Sequence, residues 1–294
     1  MLKLWIVLLV SILLSACNNH QTVNYLKLIK AYEVMTNGTL EPSGLTLWDG
    51  EFYTISDKQN KIYHLQFEQD KVRLKPIINI VNNRNTKLDF EGLSHDDKYF
   101  YLISEKYFQI LKVSKDGSEQ VWLPINDELQ QAGIDAGLFQ THNANFEGIC
   151  FLEKNKFLLV AEREPRGFIE VLFDDSKIET IRAYSANDSR FPSAKHRSTD
   201  FTGLSCDDDI YVLERNAYVV AKLKKQQGKF KESVAWSYQH IIEKPEYQYQ
   251  DMKYGHAEGL VVSGDKVYII LDNNRGAHNN NANDNNSWFF ELKK

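Results

Sequence analysis

The sequence predicts an all-β chain, a five-bladed β-propeller of four-stranded antiparallel blades with six blades as the competing count, and three observations predict it. First, a tripeptide recurs five times, as Ser43-Gly44-Leu45, Glu91-Gly92-Leu93, Glu147-Gly148-Ile149, Thr202-Gly203-Leu204 and Glu258-Gly259-Leu260, with its glycines 48, 56, 55 and 56 residues apart. Self-similarity at such a period marks a repeat architecture. Second, a short run after each glycine ends in an acid, at +13, +13, +14, +11 and +13: Asp57, Glu105, Glu162, Glu214 and Asp272. The residue that follows is Lys58, Lys106, Arg163, Arg215 or Asn273. Third, the runs are rich in aromatic and β-branched residues, and no amphipathic helical pattern of ordinary length interrupts them.

Each repeat reads as successive strands. The first starts at the glycine, and the second covers residues 52–56, 99–104, 157–161, 210–213 and 267–271. A further run follows at 62–67, 108–113, 168–173, 218–223 and 288–292, and a last one in the first four repeats, as at 120–124 and 177–184. Four antiparallel strands repeated radially make a propeller. The fifth repeat ends at Lys294 without its outermost strand, and residues 25–34 read as the strand that supplies it. From 25 to 294 there are 270 residues, or 54 per blade.

In a propeller the first strand of each blade lines the channel and the second runs back beside it. That topology gathers Glu91, Glu147 and Glu258 with Asp57, Glu105, Glu162, Glu214 and Asp272 at one rim. The long connections 126–145, 185–200, 239–257 and 273–287 fall on the same face, where sites are usually built. Tight turns such as Asp96-Asp97 and Gly264-Asp265 fall on the other. So many carboxylates around one axis need compensation. Lys106, Arg163, Arg215 and Arg275 could be counter-ions, pKa values could rise, or a hard cation such as Ca²⁺ could bind. Glu91, Glu147 and Glu258 are the candidate metal ligands, with oxygens of Asp89, Asn145 and Asp200 nearby. Asp57, Glu105, Glu162, Arg163, Glu214, Arg215, Asp272, Arg275 and His256 form the candidate ligand-binding rim, and His142, His196 and His278 lie in the same loops. Ser43 and Thr202 replace the glutamate in two repeats, which suits a site for one small molecule. No Gly-x-Ser-x-Gly elbow, His-Glu-x-x-His or P-loop occurs, so no catalytic residue is assigned.

Hydrophobic residues at 43% and charged residues at 26% are globular values, which exclude wholesale disorder and multi-span membrane classes. A net charge of −5 has the wrong sign for wrapping a phosphate backbone, so nucleic acid is excluded as a partner. Residues 1–17 carry Lys3, an apolar run of about eleven residues and Leu14-Ser15-Ala16-Cys17, an export signal too short to span a bilayer. This segment resembles the bacterial lipoprotein signal, which implies a lipid on Cys17 and anchorage of the mature chain to a membrane. Asn18 after the cysteine implies, by the same resemblance, the outer membrane, with the protein facing the periplasm. Residues 18–24 are then a short linker, and 25–294 one monomeric domain. Cys150 and Cys206 sit two and three residues after equivalent glycines, on opposite faces of equivalent strands, which predicts two buried thiols rather than a bridge.

Phe90-Glu91-Gly92-Leu93, Phe146-Glu147-Gly148-Ile149, Ala161-Glu162-Arg163-Glu164-Pro165 and His256-Ala257-Glu258-Gly259-Leu260 resemble the SdiA-regulated family of bacterial envelope β-propellers. They are similar also to the wider esterase-like phytase domain group. The resemblance implies an envelope propeller with a calcium ion at the channel, and it touches Glu91, Glu147 and Glu258. The expected function is a lipid-anchored periplasmic binding or interaction module whose partner is a small molecule or an envelope protein. The alternative is a calcium- or other divalent-metal-dependent esterase or phosphoesterase. Arg163, Arg166, Arg197, Arg215 and Arg275 could supply a basic funnel for phosphate, although the net negative charge argues against a highly phosphorylated substrate such as phytate.

Overall fold

The structure, a computed structural model, describes residues 23–36, 40–84, 86–174, 177–187, 191–194, 197–250 and 255–294. Cys17, the signal segment and His196 lie outside the described residues. Two short N-terminal strands, β1 (Asn24–Tyr25) and β2 (Lys27–Val34), precede the repeats. A first run of four follows: β3 (Pro42–Trp48), β4 (Glu51–Ser56), β5 (Lys61–Glu68) and β6 (Lys71–Asn79). The next comprises β7 (Phe90–His95), β8 (Tyr99–Ser104), β9 (Gln109–Ser114) and β10 (Gln120–Trp122). After helix α1 (Asn126–Asp135) come β11 (Phe146–Glu153), β12 (Lys156–Ala161), β13 (Gly167–Asp174) and β14 (Lys177–Ser185). Then follow β15 (Phe201–Ser205), β16 (Tyr211–Glu214), β17 (Val219–Gln226) and β18 (Lys229–Ser237). A one-turn helix, α2 (Gln239–Ile242), leads to β19 (Ala257–Ser263), β20 (Lys266–Leu271) and β21 (Ser287–Lys293).

The fold is nearly all-β and propeller-like. Within each run the strands pair antiparallel in chain order, from the glycine strand outward. β2 pairs antiparallel with β21, from Lys27 opposite Lys293 to Val34 opposite Ser287. Two parallel contacts join neighbouring runs: β1 lies against the end of β18, and Glu33 and Val34 of β2 lie against Lys71 and Val72 of β6. The last contact makes one eight-stranded sheet of the first and last runs.

Apolar clusters lie between successive runs. Trp48, Ile55 and Ile62 pack with Phe100, Leu102 and Leu111, and Leu45, Leu65 and Val72 pack with Val261, Ile270 and Phe289. Each such side chain contributes about 1.5–3 kcal/mol on burial. At the axis the repeated glycine has a steric reason. A Cβ on Gly44 would lie 2.4 Å from Leu93 N, on Gly92 2.8 Å from Gly148 Cα, and on Gly148 3.2 Å from Leu204 N. On Gly203 it would meet Glu258 O at 2.8 Å, and on Gly259 the first run's Leu45 Cβ at 2.6 Å. The inner strands thus pack directly on one another, and only a void of about 10 Å³ remains between them.

Two expectations are corrected. The connection after β10 holds helix α1, which has Asp127 and Glu128 in its first turn and buries Leu129. A Schellman motif ends it: Gly137, at φ +76°, donates to Ile134 O, and Leu138 N donates to Gly133 O. The second correction concerns the cysteines, since Cys150 and Cys206 form a disulfide with Cα atoms 5.9 Å apart. Their side chains do leave opposite faces of equivalent strands. Successive runs stack face to face, however, so opposite faces of neighbours are the ones that meet: Cys150 packs in the same cluster as Leu204, Val212 and Cys206.

Candidate functional site

Strand register builds the site. Phe90 pairs with Ser104, Phe146 with Ala161, Ala257 with Leu271 and Pro42 with Ser56, so the next residue in each case, Glu105, Glu162, Asp272 or Asp57, stands at the rim. In the fourth repeat Phe201 pairs with Glu214, and the rim position therefore falls to Arg215. Backbone bonds agree: Glu105, Glu162, Arg215 and Asp272 donate their N–H to the carbonyls of Asp89, Asn145, Asp200 and His256, each three residues before its glycine. The rim is thus four acids and one arginine. The +11 spacing of Glu214 was the signal that the repeat slips by a residue there.

Arg215 gathers three carboxylates. It donates to Asp200 at 2.6 and 3.0 Å, to Glu162 at 2.9 Å, and to Glu258. Glu214 lies behind the rim, where it accepts from the Asp200 amide at 2.6 Å and pairs with Arg166. Arg166, 1% exposed, also bonds Glu232 at 3.1 and 3.2 Å and the Ala186 carbonyl. Arg163 pairs with Glu162, and Arg275 with Glu41 at 2.6 Å. Arg197 donates to Tyr218 Oη. Arg166 and Arg215, expected in a phosphate-binding funnel, are held by carboxylates instead. Buried Glu41 was missed in the sequence, although its place three residues before Gly44 matches Asp89 and Asp200.

A basin of about 220 Å³ opens at the rim, lined by Asp57, Glu91, Glu105, Glu147, Glu162, Arg163, Arg215, Glu258 and Asp272, with Glu41 and Asn274 beside them. At the mouth, carboxylates converge in two triads, one of which shares Glu162 with Arg215. In Asp57, Asp89 and Glu91, and again in Glu105, Glu147 and Glu162, one oxygen from each residue lies within 4.8 Å of the others. Glu91 and Glu147 therefore fall in different triads, and Glu258 faces Arg215. Lys58 bonds Asp57 and, at 2.6 Å, Glu41; Lys87 reaches Asp89 at 3.1 Å. Glu91 and Glu147 have neither a hydrogen bond nor a cation within 4 Å among the described residues. Asp57 Oδ1, Glu162 Oε2 and Glu258 Oε2 are buried without a hydrogen-bond partner there. Ser43 and Thr202 donate their hydroxyls to the carbonyls of Phe90 and Ala257, both at 2.7 Å, and so stitch neighbouring inner strands, with Ser43 also at the edge of the basin. His256 is buried against the Tyr249 ring, His278 bonds the Asn286 carbonyl at 3.0 Å, and His142 lies outside the basin in a neighbouring groove.

The electrostatics follow from burial. Burial, reinforced by the charges of Asp57, Glu105 and Asp89, pushes Glu91 well above the usual carboxylate range. Burial, then Glu91 and Glu258, do the same for Glu147 against the pull of Arg215. Asp272 is raised by burial and Glu258, and Glu258 is pushed up to about 7 by burial despite Arg215. Each of these carboxyls holds a proton more tightly than an exposed one does, and a bound cation would compete with that proton. The donor set is entirely hard oxygen, and its orphaned buried oxygens fit a hard divalent cation.

Among the described residues no helix is long and apolar enough to cross a membrane. A search of curated proteins finds no match. Among solved structures, the glutaminyl cyclase of Myxococcus xanthus superposes with TM-score 0.58 at 13% identity, covering 93% of this chain and 97% of that one. The PQQ-bound aldose sugar dehydrogenase of Streptomyces coelicolor gives TM-score 0.51 at 10% identity, covering 93% of this chain and 99% of that one. Both are β-propeller enzymes, and at these identities the likeness shows the fold alone. A family model described as phytase-like, esterase-like activity of phytase, matches residues 38–275, well over half of the sequence, and the chain therefore belongs to that β-propeller family.

Proposed function

We propose that this protein is a lipid-anchored envelope propeller whose acidic mouth binds a divalent cation, Ca²⁺ by its donor chemistry, and presents it to an oxygen-rich small ligand. The observation that carries this reading is the pair of carboxylate triads at the mouth, each containing a glutamate, Glu91 or Glu147, with no cation within 4 Å among the described residues. Glu105, Glu147 and Glu162 would hold the ion, since buried Glu162 Oε2 lacks a partner among the described residues. The finer fold reading is five blades, with β2 closing the last; it is supported by the glycine contacts that pass through five inner strands and return to the first. Placement in the SdiA-regulated group rests on the Phe-Glu-Gly-Leu grammar, and the envelope address on the segment ending at Cys17. The Cys150–Cys206 bridge suits an oxidising compartment.

A second reading, a metal-dependent esterase, is favoured by the description of the family. A bound cation would polarise an ester carbonyl or phosphoryl oxygen. Glu91, whose affinity for protons is raised, stands where it could take a proton from water.

Calcium at 100 times its dissociation constant should stabilise the fold by about 2.7 kcal/mol, and chelator should remove the gain. Glu147→Gln keeps the shape and should abolish the calcium response. A melting curve that ignores calcium, with no metal found by elemental analysis, would refute the cation. Cys17→Ser should free the protein from membranes; fatty-acid labelling that leaves no mark on the wild type would refute the anchor.

A further inference from the structure

A groove lies beside the mouth. Its volume is about 510 Å³, and Glu105 and Asn143 line both it and the basin. Helix α1, absent from the sequence reading, forms one wall with Gln130 and Ile134. Leu129 and Leu138 are fully buried and pin that wall, whereas Ile134 is left 45% exposed over the groove. Phe108 and Phe139 line it too, edge to face with centroids 5.1 Å apart. Both phenylalanines are in the left-handed backbone region, at φ +50° and +59°, as are Asp89 and Asn143 at +56° and +57°. Left-handed φ is unusual for a bulky residue and gathers at ligand clamps. Part of the polar lining is unspent: Gln140 and Thr141 bond the Leu138 carbonyl and Glu164, but Lys106 and His142 have no hydrogen bond or ion pair among the described residues, and the Asn143 and Gln130 amides have no side-chain bond there.

We propose that this groove binds the planar aromatic part of a small organic acid, with Lys106 as partner of its anionic group and Ile134, Phe108 and Phe139 as its apolar wall. The proposal rests on the cation reading in one respect only: a cation held by Glu105, Glu147 and Glu162 adjoins the groove and should favour an anion in it. Among the described residues Lys106 is the only lysine or arginine in the lining; Asp89 lines it too, and Glu105 stands at the edge shared with the mouth. One cation beside three apolar side chains, Phe108, Ile134 and Phe139, selects a monoanion with a ring over a polyphosphate, which needs several cations at once.

The test uses 1-anilinonaphthalene-8-sulfonate, an aromatic monoanion whose fluorescence rises on binding, with purified protein in chelator and again in calcium. Wild type should bind it saturably. Lys106→Gln and Ile134→Asp should each weaken binding at least fivefold with an unchanged melting temperature, while Lys231→Gln, at the separate cavity beside Phe230, should leave it unaltered. Calcium should tighten binding in wild type, and in Glu147→Gln it should not, with the calcium-free affinity retained. Equal affinity in wild type, Lys106→Gln and Ile134→Asp would overturn the groove. A groove response without a calcium effect would leave the groove standing and refute the cation beside it.

Discussion

Arg215 occupies a position that its repeat equivalents fill with acids, and it is the largest single departure from symmetry at the mouth. Removing one partner from a buried ionic cluster leaves charge without compensation, at a cost of about 3–5 kcal/mol. Arg215→Met should therefore strand Glu162, Asp200 and Glu258 and lower stability by that order at pH 8. Because stranded carboxylates can take up protons, the loss should shrink on acidification, and paired urea melts at pH 8 and pH 6 check both statements. A loss of equal size at both pH values would mean that packing of the arginine stem, and not its charge, was removed. The residue scale also shows where the sequence stopped being legible. Glu91 and Glu147 were visible as mouth acids from the tripeptide alone. The assignment of Glu214 to the rim failed because the acid-base dipeptide was aligned by residue type, whereas register follows Phe201, which pairs with Glu214 and hands the rim to the next residue.

At the scale of elements the strands were readable because period-2 alternation and β-branched content survive in every repeat. β2 was readable because the fifth repeat lacks a strand of its own. α1 was not, since its polar face is rich in Gln and Asp and its anchors, Leu129 and Leu138, reach the core only through the tertiary fold. The disulfide was missed for a geometric reason, the stacking of successive sheets face to face. It joins β11 to the end of β15 across 56 residues, and the chain-entropy relation gives about 4 kcal/mol for closing such a loop. Cys150→Ser with Cys206→Ser should lower the unfolding free energy by an amount of that order and the melting temperature with it, and reductant should do the same to wild type and nothing to the double variant. If wild type melts identically with and without reductant, the bridge contributes nothing to stability.

For the molecule as a whole, the balance of buried acids sets an unusual response to pH. Burial holds Glu214 at about 8 against the pull of Arg166, and Glu258 at about 7. A carboxyl with a raised folded pKa binds more protons folded than unfolded, so its contribution is greatest below the unfolded value and is lost as pH rises through the folded one. In chelator, the melting temperature should therefore rise as pH falls from 8.5 to 6, the opposite of what a ring held by exposed salt bridges would do. A fall over that range would show that ion pairs outweigh burial. Calcium should flatten the profile at the upper end by taking the place of protons.

The contacts at the five glycines have one more consequence. Backbone meets backbone at the axis and leaves a void of about 10 Å³, at the limit for one water molecule, so among the described residues the basin has no way out along the axis. Whatever enters must leave on the side of the mouth, and a spent molecule there obstructs the next arrival. Turnover, if there is turnover, would be throttled by its own product in simple competition with substrate, and a ligand that plugged the mouth would trap anything held beneath it.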